Sequence, residues 1–129
     1  MRRFSKFVPT AIRARSVHTI SKHELREKLG KIQILDVREP YELEQTGKID
    51  DTAFNLPLQH IVDGALGMDG ETFFSTFGFV KPNSEKDCVF VCKAGVRSRL
   101  AQSLAREHYG FKSALNYTGG ADEWFSEKI

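Results

Sequence analysis

Cys92 has the sequence context of a chemically reactive thiol. It directly follows the apolar run Val89–Val91, which predicts a buried strand, and apolar residues return at helical spacing from Ser98. In an open parallel sheet, ligands bind beyond the carboxyl ends of the strands, which is where Cys92 is expected to lie. The position therefore favours a nucleophilic thiol over a cysteine that only packs in a core.

The residues after Cys92 predict a loop that binds an anion. Gly95 and the small residue before it would let several backbone N–H groups point to a common centre, and the helix predicted from Ser98 would add the positive end of its dipole. Lys93 and Arg97 add positive charge at the rim. These groups are expected to lower the pKa of the Cys92 thiol, so that thiolate is present near neutral pH. Such a loop stabilises an anion without a metal, and no cofactor is predicted.

The other thiol and the histidines have ordinary explanations. Cys88 lies four residues before Cys92 in the same apolar run, where a cysteine is typical of core packing. Two cysteines at this spacing on one strand are about 13 Å apart, too far for a disulfide bond, and free thiols suit a reducing compartment. No zinc site is predicted, because metal-ligand spacing is missing among the four histidines, His18, His23, His60 and His108.

Periodicity in the rest of the chain predicts the elements that must position this loop. Short apolar runs predict four strands, at residues 32–37, 53–57, 88–91 and 113–117. Helices are predicted after the capping box at Ser21–Glu24, from Pro40 through Glu44, and over residues 71–79 and 98–109. Strands that alternate with helices in this way predict an α/β fold, in which a mostly parallel sheet is covered on both faces.

The length and the charge distribution narrow the class of protein. A chain of 129 residues is expected to form one domain, and it has no apolar run of the roughly 18 residues that span a bilayer. Residues 1–23 carry six basic side chains and no acidic ones, whereas the other 106 residues carry 13 basic and 17 acidic side chains. Because the basic excess lies in the N-terminal segment and the rest of the chain is acidic, nucleic-acid binding is not favoured.

The N-terminal segment itself has the composition of a mitochondrial targeting leader. It is rich in arginine, contains Ser5 and Ser16, and has apolar residues between its charges. We therefore predict a leader at residues 1–16, a domain at residues 17–129 and a mitochondrial location. The alternative is a disordered basic tail on a cytoplasmic protein, since Pro9 interrupts any continuous amphipathic helix.

Several spaced motifs of the chain resemble those of the rhodanese family. The stretch CKAGVRS (Cys92–Ser98) resembles the family's active-site loop. LDVREPYELEQTGKI (Leu35–Ile49), with the following AFNLP, resembles its upstream signature, and YTGGADEW (Tyr117–Trp124) resembles its closing one. The resemblance covers almost the whole chain after the leader and is greatest to small single-domain thiosulfate sulfurtransferases. One departure is Lys48, where many relatives have histidine, and it lies outside the catalytic loop.

The resemblance implies a three-layer rhodanese-like fold, with a five-stranded, mostly parallel sheet flanked by helices. It also implies a sulfurtransferase that moves sulfane sulfur through a persulfide on Cys92. The donor would be thiosulfate or a persulfide, and the acceptor glutathione, cyanide or a thioredoxin-like protein. The residues expected to bind substrate are Lys93, Ala94, Gly95, Val96 and Arg97. The residues expected to support the site structurally are Asp36, Arg38, Ser98, Gly119 and Gly120.

Loop length distinguishes this chemistry from the others that the fold supports. Four residues separate Cys92 from Arg97, whereas the related dual-specificity phosphatases and arsenate reductases have five. A shorter loop makes a smaller cradle, which suits one sulfur atom better than a tetrahedral phosphate, and Val91 stands where those phosphatases usually have histidine. Sulfur transfer is therefore favoured. The alternatives are a phosphatase or arsenate reductase on the same fold, and a non-catalytic sulfur-carrier or binding module.

Overall fold

The computed structural model describes residues 18–126, in which five strands form one sheet with helices packed against it. All five strands run parallel, in the spatial order β1-β5-β4-β2-β3. The strands are β1 (Thr19–Ile20), β2 (Gln33–Asp36), β3 (Ala53–Asn55), β4 (Cys88–Val91) and β5 (Ala114–Tyr117). The helices are α1 (Lys22–Glu27), α2 (Pro40–Thr46), α3 (Leu58–Val62), α4 (Gly70–Phe77), α5 (Val96–His108) and α6 (Gly120–Trp124), with a 3₁₀ turn at Ala65–Gly67. The predicted α/β fold with a parallel sheet is confirmed.

Strand β4 lies at the centre of the sheet. It pairs with β2 on one side, where Asp36 is opposite Val91, and with β5 on the other, where Asn116 is opposite Phe90. All four of its residues are buried, which explains why its sequence is apolar throughout rather than alternating. The chain after Val91 therefore leaves the sheet in the middle of its carboxyl edge, and Cys92 is the first residue there.

Neighbouring residues of β4 point into two apolar cores, one on each face of the sheet. Phe90 lies in the core that also contains Phe73 of α4 and Ala101 of α5. Val89, one residue earlier, lies in the core that also contains Leu25 of α1. Because successive side chains of a strand face opposite sides, α4 and α5 cover one face of the sheet and α1 covers the other.

The element boundaries differ from the predicted ones where elements are short. Strand β1 has two residues and helices α3 and α6 have five each, too few to give a hydrophobic period, and the sequence pattern does not predict them. Helix α5 begins at Val96, two residues before the predicted start at Ser98, because Gly95 occupies the N-cap position with a φ of 88°. Arg97 and Ser98 therefore both lie within the first turn of α5.

Two further predictions concern the N-terminal leader and membrane-spanning helices. The predicted leader, residues 1–16, lies outside the described residues, so the leader and the domain boundary after it stay predictions. Within residues 18–126, no helix has the length and apolar character that crossing a bilayer requires.

Candidate functional site

The sulfur of Cys92 is enclosed by the turn that follows it. Cys92 Sγ accepts a hydrogen bond from the backbone N–H of Gly95 at 3.1 Å and lies 3.2 Å from Ser98 Oγ. The residue as a whole is 1% exposed. Both cysteines of the chain are free thiols, as predicted. Donors from the turn and from the first turn of α5 therefore converge on one sulfur atom.

Hydrogen bonding gives Cys92 an acidity unlike that of Cys88. Burial raises the pKa of Cys92, but hydrogen bonds from the Ser98 side chain and from three backbone N–H groups act against burial and bring the pKa below its ordinary value. For Cys88, which lies in the apolar core, burial raises the pKa far above the usual range. The structure thus separates a thiol that ionises readily from one that stays protonated.

Gly95 makes the tight turn over the thiol possible. Its φ of 88° lies in the left-handed region that favours glycine. A Cβ atom at this position would also lie 2.5 Å from the backbone oxygen of Thr118. A side chain at residue 95 is therefore disfavoured for two reasons. The backbone angle favours glycine, and the backbone of Thr118, the residue after β5, lies too close.

A buried polar pair connects the thiol to strand β5. Ser98 and Asn116 are 0% and 3% exposed. The Ser98 hydroxyl donates to Asn116 Oδ1 at 2.6 Å, and Asn116 Nδ2 donates to the carbonyl oxygen of Gly95 at 3.2 Å. Asn116 is not among the residues predicted from the sequence. A polar residue inside the otherwise apolar strand sequence ALNY was the available signal, because buried amides are almost always hydrogen-bonded.

Arg97 is held by a carboxylate of helix α2. Its Nη1 and Nη2 atoms donate to the two carboxylate oxygens of Glu42 at 2.7 and 2.8 Å, a bidentate geometry. These hydrogen bonds lower the pKa of Glu42 to about 2 and raise the pKa of Arg97 above its ordinary value. The guanidinium is therefore fixed in orientation and partly neutralised. Glu42 is not among the site residues predicted from the sequence, although it lies inside the motif at residues 35–49.

The remaining predicted substrate-binding residues lie on the exposed side of the turn. Lys93 Nζ donates to Asp122 Oδ1 at 2.9 Å, and both side chains of this ion pair are more than half exposed. Val96 is 76% exposed, and Ala94 is exposed as well. The five residues predicted to bind substrate are consecutive and span the turn and the start of α5: Lys93, Ala94, Gly95, Val96 and Arg97. The two cations among them, Lys93 and Arg97, are both paired with carboxylates.

Asp36 and Arg38 form a buried ion pair at the carboxyl end of β2. Both residues are 1% exposed, and Arg38 Nη2 donates to Asp36 Oδ2 at 2.7 Å. Other guanidinium N–H groups donate to Thr46 Oγ1 at 2.8 Å and to the Gly47 carbonyl oxygen at 3.2 Å. Arg38 thereby fastens the end of α2, the helix that carries Glu42.

The start of helix α6 packs closely against the backbone of the turn that follows Cys92. A Cβ atom at Gly120 would lie 2.3 Å from the Lys93 carbonyl oxygen and 2.7 Å from that of Cys92. The same two carbonyls accept hydrogen bonds, at 3.0 and 2.8 Å, from N–H groups of the next two residues of α6. A Cβ at Gly119 would meet the flexible side chain of Glu123 instead. Gly120 therefore has the stricter requirement for glycine.

The groups that face the Cys92 sulfur are backbone N–H donors and the Ser98 hydroxyl, and these groups stabilise an anion when the hydroxyl proton turns to the sulfur. Among residues 18–126, no cluster of three or more histidine, cysteine, aspartate or glutamate side chains is placed to hold a metal ion. The arrangement is suited to a thiolate nucleophile and to an anionic group bonded to it.

Comparison with known proteins gives one consistent result. A family model described as a rhodanese-like domain matches residues 21–127. The mitochondrial thiosulfate sulfurtransferase RDL2 of Saccharomyces cerevisiae is 32% identical, over 98% of this chain and 80% of that protein. A putative mitochondrial thiosulfate sulfurtransferase of Schizosaccharomyces pombe is 39% identical, over 88% of this chain and 75% of that protein. The solved structure of the human single-domain sulfurtransferase TSTD1 has a TM-score of 0.76 and 32% identity, covering 86% of this chain and 97% of that chain.

Proposed function

Because this chain belongs to the rhodanese family, as its motifs predict, we propose that it is a thiosulfate sulfurtransferase whose sulfur carrier is Cys92. The main observation is the position of the Cys92 sulfur, which accepts a hydrogen bond from the Gly95 N–H at 3.1 Å beside the first turn of α5. Hydrogen-bond donors and the positive end of the helix stabilise a sulfur anion there. The names of the two yeast relatives support the choice of thiosulfate as donor.

In the first half-reaction, the Cys92 thiolate attacks the outer sulfur of thiosulfate. A new S–S bond forms to Cys92 as the S–S bond of the donor breaks, and sulfite leaves with that electron pair. The product is an anionic persulfide on Cys92. Its terminal sulfur carries the negative charge close to the N–H groups of the turn, so the same donors that stabilise the thiolate stabilise the product.

In the second half-reaction, an acceptor thiolate or cyanide attacks the terminal sulfur of the persulfide. The S–S bond to Cys92 breaks, its electron pair returns to Sγ, and the acceptor leaves as a persulfide or as thiocyanate. Cys92 is then the leaving group, and a lowered pKa favours its departure as thiolate. The acceptors that fit this chemistry are glutathione, cyanide and a thioredoxin-like protein thiol.

Arg97 and Lys93 have different roles in binding thiosulfate, the anionic sulfur donor. The Arg97 guanidinium has five N–H donors and uses two of its nitrogens toward Glu42, so it meets the sulfonate with its plane already fixed. Lys93 is on a flexible, exposed stem paired with Asp122 and contributes mainly as a charge.

Loading with thiosulfate tests the proposal directly. The full chain is incubated with thiosulfate and mapped by mass spectrometry, then treated with glutathione or cyanide. We expect the peptide containing Cys92 to gain the mass of one sulfur atom and to lose it to either acceptor. Cys88→Ser is the matched control that should still load. Loading on Cys88, or unimpaired transfer by Cys92→Ser, would contradict the proposal.

The discharge step of this experiment and a parallel assay with an aryl phosphate separate the alternatives. A persulfide that forms on Cys92 but is discharged slowly by every small acceptor would indicate a sulfur-carrier module. Phosphate release from an aryl phosphate without any sulfur loading would indicate a phosphatase. The direct bond between the Gly95 N–H and the Cys92 sulfur favours sulfur chemistry, because the donors converge on the sulfur itself.

We propose a mitochondrial location, supported by the composition of residues 1–16 and by the names of the two yeast relatives. The test is a fluorescent reporter fused to residues 1–23, with the six basic residues replaced by glutamine in a control fusion. We expect the first fusion to enter mitochondria and the control to stay in the cytosol. A diffuse cytosolic signal from the first fusion would favour a cytoplasmic protein with a basic tail.

A further inference from the structure

The Ser98 hydroxyl has two neighbours that compete for one proton. Its oxygen lies 3.2 Å from Cys92 Sγ and 2.6 Å from Asn116 Oδ1. A hydroxyl has a single proton to donate, whereas an amide oxygen only accepts. When Ser98 donates to Asn116, only its lone pairs face the sulfur. When it donates to the sulfur, Asn116 Oδ1 loses its donor.

The orientation of the Asn116 amide is fixed by the catalytic turn. Asn116 Nδ2 donates to the Gly95 carbonyl oxygen at 3.2 Å, and a carbonyl oxygen only accepts. The NH₂ end of the amide therefore faces Gly95, and the amide oxygen faces Ser98. A single residue thus contacts both the turn and the hydroxyl beside the thiol.

Burial confines the competition to these protein groups. Cys92 is 1%, Ser98 is 0% and Asn116 is 3% exposed. Buried polar atoms are costly to leave without a hydrogen-bond partner, since bulk water cannot replace the partner. When the Ser98 hydroxyl donates to either the Cys92 sulfur or Asn116 Oδ1, the other acceptor consequently loses this donor.

We propose that Asn116 is a positioning residue that restrains the reactivity of Cys92 by competing for the Ser98 proton. With a neutral thiol, the Cys92 S–H donates to Ser98 Oγ and the hydroxyl donates to Asn116. With a thiolate, the hydroxyl rotates and donates to the sulfur. The proton stays bonded to Ser98 in both states, so only the direction of the hydrogen bond changes. This inference rests on the proposed function, in which Cys92 carries the sulfur.

The rotation follows the charge on Cys92 through the reaction. In the persulfide, the negative charge is on the terminal sulfur, so Sγ is a weak acceptor and the hydroxyl donates to Asn116. When an acceptor removes the terminal sulfur, the electron pair of the S–S bond goes to Sγ, and the hydroxyl turns back to it. Ser98 thereby stabilises Cys92 both as nucleophile and as leaving group, and Asn116 sets how much of that stabilisation is available.

Other charged groups near the thiol are unchanged by substitutions at residues 98 and 116. Arg97 faces the site from α5 with its partner Glu42 on α2, and Lys93 lies on the turn with its partner Asp122 on α6. A changed titration of Cys92 in such variants is therefore assigned to the hydrogen bonds.

The test is the rate of Cys92 alkylation by iodoacetamide as a function of pH in the full chain. The rate at mildly acidic pH follows the thiolate fraction. Loss of one hydrogen bond to a charged group predicts that Ser98→Ala slows alkylation by about tenfold.

Asn116→Leu should accelerate alkylation of Cys92 several-fold, because the Ser98 hydroxyl is then free to donate to the sulfur. The double variant should equal Ser98→Ala. An Asn116→Leu variant that slows alkylation in both backgrounds would overturn the proposal.

A second measurement uses the unmodified side chains and does not depend on the Asn116 variant folding. The ¹³Cγ resonance of Asn116 should titrate together with the Cys92 thiol, since ionisation takes the donor away from Oδ1. This titration should be lost in Ser98→Ala, and its absence in the unsubstituted chain would overturn the proposal. Sulfur loading is measured separately by mass, so failure of Cys92 to load would refute the proposed function and leave the hydrogen-bond competition standing.

Discussion

Cys88 and Cys92 have the same side chain and both belong to the same apolar core, but the Cys92 sulfur also accepts a hydrogen bond from the Gly95 N–H. Serine at position 92 keeps the size of the side chain, but its hydroxyl stays protonated near neutral pH. We therefore expect Cys92→Ser to abolish sulfur transfer with an unchanged Tm. Cys88→Ser should keep activity and lower the free energy of unfolding by about 1–3 kcal/mol, since it buries a hydroxyl without a partner. Transfer assays and thermal unfolding measure both effects, and an active Cys92→Ser protein would contradict the prediction.

Two cations lie close in sequence after Cys92: Arg97, in the first turn of α5, is held by a bidentate carboxylate, and Lys93, on the turn before it, is exposed. Arg97→Ala should raise the KM for thiosulfate by about tenfold or more, because the charged hydrogen bond that we propose between Arg97 and the sulfonate would be lost. Lys93→Ala should have a smaller effect, since an exposed charge is screened by solvent. Discharge of a preformed persulfide to a neutral acceptor, followed by stopped flow, should change less in both variants. Equal losses in the two half-reactions would mean that Arg97 serves only the architecture of the turn.

At the scale of elements, the Glu42–Arg97 pair joins α2 to α5. It lowers the pKa of Glu42 from 4.5 to about 2, so it stabilises the fold above the unfolded-state value, and this contribution is lost as the pH falls through about 2. Glu42→Gln should lower the free energy of unfolding by about 1–2 kcal/mol at neutral pH, after allowance for solvent screening. The difference from the unsubstituted protein should vanish on acidification. Glu44→Gln, an exposed change on the same helix, is the control for denaturant unfolding at each pH.

Local elements around Cys92 could be predicted from the sequence, whereas contacts between distant elements could not. The strand, turn and helix around Cys92 were predictable because apolar periodicity and the Gly95 turn are local signals. Glu42 lies 55 positions from Arg97 and Asn116 lies 18 positions from Ser98, so these contacts exist only once the sheet has formed. The predicted start of α5 was two residues late, because the N-cap is set by the φ of Gly95 and not by the apolar pattern.

At the scale of the whole molecule, every described strand and helix lies after the predicted leader. Within the described residues, the sheet begins at Thr19, and the capping box that starts α1 is formed between Ser21 and Glu24 themselves. We expect deletion of residues 1–16 to leave the Tm and the rate of sulfur transfer unchanged. Thermal unfolding and a thiosulfate assay of the shortened chain measure this, and a lower Tm would show that the leader contributes to the fold.

The separation of the two thiols also governs how the protein responds to oxidants. The chain has two cysteines, and the four-residue spacing places them about 13 Å apart, beyond the roughly 7 Å limit for a disulfide bond. A peroxide that converts Cys92 to a sulfenic acid therefore leaves it without a resolving cysteine in the same chain. Its recovery requires a thiol from solution, the same class of molecule that removes the sulfur during turnover. Depletion of that thiol pool would then stop sulfur transfer and leave the carrier open to irreversible overoxidation.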